Sequence, residues 1–525
     1  MSNVNSEILK RRTFGIISHP DAGKTTLTEK LLLMGGAIHV AGTVKSRKSG
    51  RFAASDFMEI EKQRGISVSS SVMGFVYNNF QVNLLDTPGH KDFSEDTYRT
   101  LTAVDSALMV IDCTKGVEMQ TRKLMQVCRM RQTPILTFIN KLDREGKHPI
   151  ELLDEIEKEL DIKVCPCSWP IGMGRSFKGV YDLLQSKVVF FKSHARSDSG
   201  DSFTFDSLDD PELQRYLGPL YATLREELEL LSLYPAFDVE AYLAGSLTPV
   251  FFGSAVNNFG IQELLDCFVN IAPSPLPRQT LQREVCAQEP SFSGFIFKIH
   301  ANIDPKHRDR IAFLRICSGV FERNKAYWHP RLKKKLRFAN PTSFMARDKS
   351  IVDIAYPGDI VGLHDTGNFK IGDALTEGEG LKFTGIPHFS PEIFRVVVNK
   401  NPMKAKQLQK GLMQLCEEGL AQLFVRSLDQ SKLLGTVGLL QFDVIQYRLA
   451  HEYGAECLFE PFDFYKACWV TANDAAILSQ FWKSRQRQHA TDIQDRPVYL
   501  AESQWGLDRE MSENPDISFS FSSEI

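Results

Sequence analysis

The sequence predicts a multidomain chain: an α/β nucleotide-type domain with an inserted subdomain, an antiparallel β-barrel, and a C-terminal α+β domain. Three observations predict it. Buried-type apolar runs alternate with helical repeats through the first half, as a parallel sheet with right-handed crossovers requires. A proline-rich break, Ala272-Pro-Ser-Pro-Leu-Pro277, separates that pattern from period-two alternation punctuated by glycine turns. Beyond position 390, helical spacing returns between short strands. A chain of 525 residues has room for three domains, at ~100–200 residues each. The boundaries read 1–276, 277–388 and 389–525, with the insertion at about 164–243.

Composition limits the function classes. Hydrophobic content of 43% with 24% charged residues excludes a disordered chain. A net charge of −3 leaves no global footprint for nucleic acid, so any RNA contact is local. The ten cysteines include no C-x-x-C pair, and Cys165-Pro-Cys167 is too closely spaced for a zinc site, so a reduced cytoplasmic chain is expected. The polar N-terminus lacks the apolar core of a secretory signal. No apolar run approaches the ~18 residues of a membrane span, so no membrane partner is expected.

The first element is a short apolar run, Phe14, Ile16 and Ile17, followed by leucines at helical spacing over 26–33. Between them Ser18, His19, Pro20, Asp21, Ala22, Gly23, Lys24 and Thr25 read as a phosphate-binding loop. Such a loop needs backbone N–H groups aimed at a β-phosphate, a Gly where a side chain would collide, a Lys against the β/γ charge, and a hydroxyl for Mg²⁺. Gly23, Lys24 and Thr25 fill those roles. The full G-x-x-x-x-G-K-[ST] pattern has Gly where Ser18 stands, so the loop alone does not decide.

A long polar stretch follows over 35–71, with a basic cluster from Lys45 to Arg51 and apolar anchors at Phe57, Met58 and Ile60. It closes on Gln63-Arg64-Gly65-Ile66-Ser67. A loop of this length beside a phosphate site is either one that orders around a γ-phosphate and its Mg²⁺ or a flexible surface excursion, and its neighbours have to decide. Strand-like spacing resumes over 72–80, and 81–86 is a strand running into Asp86-Thr87-Pro88-Gly89-His90. Asp86 can reach Mg²⁺ through water. Gly89 lets its N–H approach a γ-phosphate, and His90 falls where an attacking water would be held.

Apolar runs at 107–112 and 134–140, with a helical pattern over 121–131, continue the sheet. The second run leads into Asn140-Lys141-Leu142-Asp143. A carboxylate at 143 accepts from both N1–H and the exocyclic amine of guanine and repels adenine, which lacks the N1 donor. Asn140 can brace the neighbouring loop while the Lys141 stem lies along the base. After a sixth strand, Gly253-Ser254-Ala255 supplies the last base-side loop, with the Ala255 N–H expected to meet guanine O6. The ~100 residues from Asp143 to Gly253 far exceed a two- to six-residue loop. The excess, with apolar runs at 188–191 and 224–233 and a polar stretch at 194–202, reads as an inserted subdomain.

These elements, in this order, resemble the GTPases of the translation-factor class. Within it, the Ser18-His19-Pro20 form of the loop, Ser67 where most relatives carry Thr, and the length are similar to the bacterial peptide chain release factor 3 family, itself related to elongation factor G. The resemblance implies GTP/GDP and Mg²⁺ as cofactors, with the phosphates on Ser18 to Thr25 and the metal on Thr25, Ser67 and Asp86. It assigns His90 the orientation of the hydrolytic water, and places Pro20 and Ile66 as an apolar gate before it. It implies a ribosome-stimulated GTPase of translation termination, slow by itself because positioning is most of phosphoryl-transfer catalysis. The implied partners are the ribosome, through its RNA and proteins, and the stop-codon-reading release factors, whose dissociation the protein would promote without reading the codon. A monomer is expected. The alternative within the class is a translocation or ribosome-protection GTPase like elongation factor G, disfavoured by length. A ribosome- or RNA-binding module with a dead nucleotide site is disfavoured by the intact Lys24, Thr25, Asp86, His90 and Asp143.

In the second half, alternation at Gly294, Phe295, Phe297 and Ile299 and at Ile311, Phe313 and Arg315, with turns at Gly319, Gly358 and Gly372, suggests the antiparallel barrel. Two basic clusters lie in it. The one from Arg331 to Arg337 is a candidate for ribosomal RNA phosphates, set against a solvated strand face; the other runs from Lys306 to Arg310. A strand at 394–399, a helix at 405–424 and a second at 439–453 make the α+β domain. Trp469, Trp482 and Trp505 read as core or interface residues, and the Ser- and Glu-rich tail after Asp508 as mobile.

Overall fold

The computed structural model describes residues 2–38, 61, 67–191, 202–301, 310–345, 348–386 and 390–521. The basic cluster Lys45 to Arg51, the anchors Phe57, Met58 and Ile60, the gate residue Ile66, most of the polar stretch 194–202, and Lys306 and Arg308 lie outside the described residues.

The first half is organised on one seven-stranded sheet. Its strands are β1 Arg11–Ser18, β2 Ser71–Tyr77, β3 Phe80–Asp86, β4 Ser106–Asp112, β5 Ile135–Asn140 and β6 Lys163–Pro166, with the last to join following a four-stranded excursion. That excursion comprises β7 Ser168–Ile171, β8 Gly179–Asp182, β9 Lys187–Phe191 and β10 Ser202–Phe205, after which β11 Leu247–Phe252 returns. The sheet order is β2-β3-β1-β4-β5-β11-β6. All pairs are parallel except β2 on β3. Strands β1, β4, β5 and β11 are buried along their whole length, because helices cover both faces.

Two expected boundaries move. The apolar spacing over 72–80 crosses a hairpin: Asn78 and Asn79 have φ of 45° and 66°, the left-handed pair of a two-residue turn, so β2 ends at Tyr77. Strand β6 joins the main sheet beside β11, so the inserted lobe starts at Ser168. The lobe is antiparallel, β10-β9-β8-β7, with the helices Pro211–Leu217 and Pro219–Leu231. Its Trp169 is fully buried, and the indole N–H donates to Glu227 at 2.7 Å.

The second body is an eight-stranded antiparallel sheet with two free edges, Lys334–Arg337 and Asp348–Ile351. The expected barrel is therefore a half-barrel. It meets the nucleotide-type domain through ions. Asp105, 1% exposed, receives Arg278 at 2.7 Å, Arg315 at 2.5 Å and the Leu276 N–H at 3.0 Å. Arg11 pairs with Asp359 at 3.2 Å, and Thr13 donates to the Gly358 carbonyl at 2.7 Å.

The C-terminal body is an eight-stranded sheet, antiparallel throughout, with the helices Ala405–Glu417 and Leu439–Tyr453 packed on it through Leu408, Leu412, Leu415, Ile445 and Leu449. The helix expected over 405–424 stops at Glu417. Gly419 takes φ +77°, a left-handed residue that ends a helix, and Gln422–Arg426 is a strand. The tail is ordered as far as 521: the helix Gln504–Glu513 is followed by the strand Ile517–Ser520, which pairs with Lys466–Ala472. Phe519 holds it down against Phe481 and Tyr499. Trp469 is core, with its N–H on Asp492 at 2.9 Å. Trp505 is 72% exposed and does not belong to the core.

Candidate functional site

The phosphate loop leaves β1 at Ser18 and enters the helix Lys24–Met34. Ser18 is the last residue of the strand and turns its hydroxyl onto the His19 carbonyl at 2.9 Å, so the missing first glycine lies before the bend. The bend is made by Asp21 at φ 65° and Gly23 at φ 94°. Gly23 is fixed twice over. A Cβ there would lie 2.3 Å from the Asn140 amide nitrogen, and the left-handed φ disfavours any side chain.

Lys24 and Asp86 form a close buried ion pair, 6% and 2% exposed. Asp86 ends β3 beside the loop, and its other oxygen, Oδ2, is buried without a hydrogen-bond partner among the described residues. An orphaned carboxylate oxygen beside a buried Lys, with a hydroxyl on the next residue, Thr25, suits a hydrated divalent cation. Thr87 is tied to the Ile16 carbonyl at 2.7 Å, and Pro88 receives the Thr97 hydroxyl at 3.1 Å. A Cβ on Gly89 would come within 3.4–3.5 Å of His19 and Pro20, so the backbone one residue before His90 runs close to the loop. Ser67 opens the segment leading into β2, and the neighbouring Ser69 and Ser70 are held by Lys298 of the half-barrel, at 2.6 Å and 2.8 Å to their hydroxyls.

The base side is assembled from β5 and β11. Asn140 donates to the Ala22 carbonyl at 2.8 Å, and its oxygen accepts the Ala255 N–H at 2.9 Å. The Ala255 N–H, expected to meet guanine O6, is bonded to Asn140 Oδ1 in this structure. Asp143 receives the Ser254 hydroxyl at 2.5 Å, and the Leu142 N–H donates to Gly253 at 3.1 Å. Lys141, at φ 71°, runs back along the loop to the Asp21 carbonyl and to Asp112 at 2.6 Å.

The structure adds residues that the motifs do not name. Burial would push the Asp112 carboxyl up, but Lys141 and the Thr114 donors hold it below its ordinary value. Its signal was available, since it ends a buried strand as Asp86 does. His19, already named in the loop, is fully buried with neither ring nitrogen hydrogen-bonded among the described residues, and burial, outweighing Glu118 at 3.9 Å, keeps its pKa low. Lys298 stands between Phe297 and Ile299 in a strand buried along its whole length. Asp92, 4% exposed, lies 3.3 Å from His90 Nδ1, and only its proximity to His90 in sequence hinted at it.

Residues 9–274 match the family model described as the elongation factor Tu GTP binding domain. Residues 291–378 match elongation factor G domain 2, and residues 383–511 match the class II release factor RF3, C-terminal domain. The chain belongs to the release factor 3 family of translation GTPases. As a class II release factor it binds guanine nucleotide, acts as a GTPase and works with the ribosome in translation termination. A crystal structure from Thermus thermophilus is similar to it, with a TM-score of 0.71 and 22% identity over 92% of this chain and 72% of that one. At that identity the likeness concerns the fold alone. No helix among the described residues is long and apolar enough to cross a membrane.

Proposed function

We propose that this release factor hydrolyses GTP when the ribosome positions His90, and that the cycle drives the stop-codon-reading release factors off the terminated ribosome. The observation that carries the reading is the gathering of Lys24, the orphaned Asp86 oxygen and the Asn140–Ala22 bridge at one loop, with Asp143 and Ser254 paired just past the ends of β5 and β11. In this reading Ser18 to Thr25 cradle the phosphates, with Lys24 against the β/γ charge. Thr25, Ser67 and Asp86 hold Mg²⁺, which supplies charge neutralisation on the phosphoryl oxygens. Thr87, Pro88 and Gly89 close the γ-phosphate side, and His90 orients the water. Asn140, Lys141, Leu142 and Asp143, with Ser254 and Ala255, form the guanine side. The domains divide at 1–276, 277–388 and 389–525. The protein acts as a cytoplasmic monomer.

The test is GTP turnover alone, with ribosomes, and with stop-codon complexes carrying a bound release factor. The expected pattern is slow turnover alone, stimulation by ribosomes, and GTP-dependent loss of the bound factor. Stimulation without that loss overturns the termination role, and no stimulation at all overturns the ribosome-dependent mechanism.

A further inference from the structure

The helix Leu439–Tyr453 of the C-terminal domain begins on a residue that cannot cap it. Its N-cap is Gly438, which offers no side-chain oxygen to the orphan N–H groups of a first turn. Gln441 reaches back to the Gly438 and Val437 N–H groups at 3.0 Å and 2.8 Å. The Leu440 N–H is taken by a different domain: Asp92 Oδ2 accepts it at 2.8 Å. The carboxylate thus stands where a side-chain cap would, at the end of the helix dipole that favours an anion. Its other oxygen, Oδ1, is 3.3 Å from His90 Nδ1, and the Asp92 N–H also donates to that nitrogen at 3.3 Å. A neutral Nδ1 accepts the N–H and an Nδ1–H donates to Oδ1, so Asp92 faces the ring in either protonation state.

The same helix and turn grip the segment on both sides of this link. Phe93 packs with Val444 and Val68, and Arg99 donates to the Gly419 carbonyl at 2.8 Å. A Cβ on Gly419 would strike the Arg99 guanidinium, and one on Gly438 would lie 2.0–2.3 Å from the Asp92 carboxylate. At both glycines the two domains approach too closely for a side chain.

We propose that Asp92 is a positioning residue for His90 and that docking of the helix Leu439–Tyr453 sets it. With the helix in place, the carboxylate is fixed between the helix end and the imidazole, and the ring is held in a resting orientation. When the helix departs, Asp92 and His90 move together and Asp92 orients the ring for hydrolysis. This rests on the reading of His90 as the residue that orients water.

Full-length Gly438→Ala tests the latch from outside the nucleotide machinery. Gly438 has φ −144° and ψ 163°, which alanine adopts freely, and the atoms nearest the added methyl are those of the Asp92 carboxylate. Turnover without ribosomes rises about threefold to tenfold, while GDP affinity and ribosome-stimulated kcat stay within about twofold. Asp92→Asn keeps an oxygen for the Leu440 N–H but removes the charge. Its ribosome-stimulated kcat falls about tenfold at unchanged KM for ribosomes, the order set by one charge-assisted hydrogen bond. A merely structural role would move Tm, GDP affinity and KM instead. Unchanged ribosome-free turnover in a folded Gly438→Ala protein overturns the latch, and unchanged kcat in Asp92→Asn overturns the positioning role; the second variant decides alone if the first does not fold. Loss of stimulated turnover in His90→Ala, with both other variants like wild type, removes this proposal only. Full turnover in His90→Ala removes the His90 reading and the proposal with it.

Discussion

Asn140 bonds Ala22 across the cleft, its amide 2.8 Å from the loop carbonyl, while its oxygen takes the Ala255 N–H. One buried side chain therefore ties the phosphate side of the site to the base side. Asn140→Ala leaves a buried carbonyl and a buried N–H without partners, and GDP affinity falls about tenfold to a hundredfold. A fluorescent-GDP titration measures it; an affinity equal to wild type would deny Asn140 the bracing role.

Asp143 accepts from the Ser254 hydroxyl at 2.5 Å, so its carboxylate is already oriented by a donor on β11's loop. Asp143→Asn exchanges an acceptor for a group that also donates, which suits the 2-carbonyl of xanthine better than the guanine amine. Competition between XTP and GTP shifts toward XTP by about tenfold or more, and unchanged GTP preference would take Asp143 out of base recognition.

Lys298 crosses from the half-barrel to Asp96, 3.1 Å away, and to Ser69 and Ser70. Burial would raise the Asp96 carboxyl, but Lys298, then Arg99 and the Ser70 donors, hold it down at about 2. Because the folded pKa is depressed, its contribution is complete above the ordinary value near 3.8 and is lost as pH falls from there through about 2. Lys298→Met costs ~3–5 kcal/mol at pH 7, as for a buried pair with one partner removed. The deficit narrows in acid, where Asp96 is protonated in both proteins. Thermal melts at pH 7 and near pH 2, above and at the foot of that window, check this; a deficit that widens in acid would contradict the pairing.

In the basic cluster of the half-barrel, Arg331 is already neutralised by Asp373 at 2.6 Å and 2.7 Å. Lys333, Lys334 and Lys335 are exposed at a free sheet edge, where lysines also discourage edge pairing. Replacing all three with Gln lowers the slope of log K against log salt for ribosome binding by about 2–3 if each meets a phosphate. An unaltered slope, with new self-association, identifies an edge guard instead.

The parallel sheet and the loops at its strand ends were legible because each is local: an apolar run, a turn, and a few side chains at fixed spacing. What the sequence hid was pairwise and long-range. That the Ala255 N–H is consumed by Asn140 depends on how closely two loops approach. The end of the helix at Glu417 was written in Gly419, but continuing leucines masked it. The terminal strand looked disordered because its two apolar anchors, Ile517 and Phe519, sit among serines and acids and count only once an edge is available. Lys298 and Asp92 acquire meaning only from domains that meet in space.

The cluster at Asp105 bears on how the bodies can part. Two guanidiniums and a backbone amide converge on that carboxylate, and Arg11–Asp359 and Lys298–Asp96 continue the same kind of seam. A joint cemented by charge presents wettable faces when it opens, since each ion regains water on separation. Along its charged stretches such a seam parts without baring oily surface, whereas the contact of Phe93 and Val68 with Val444 is the apolar patch that opening uncovers, and added salt loosens the more exposed of the ionic joints first.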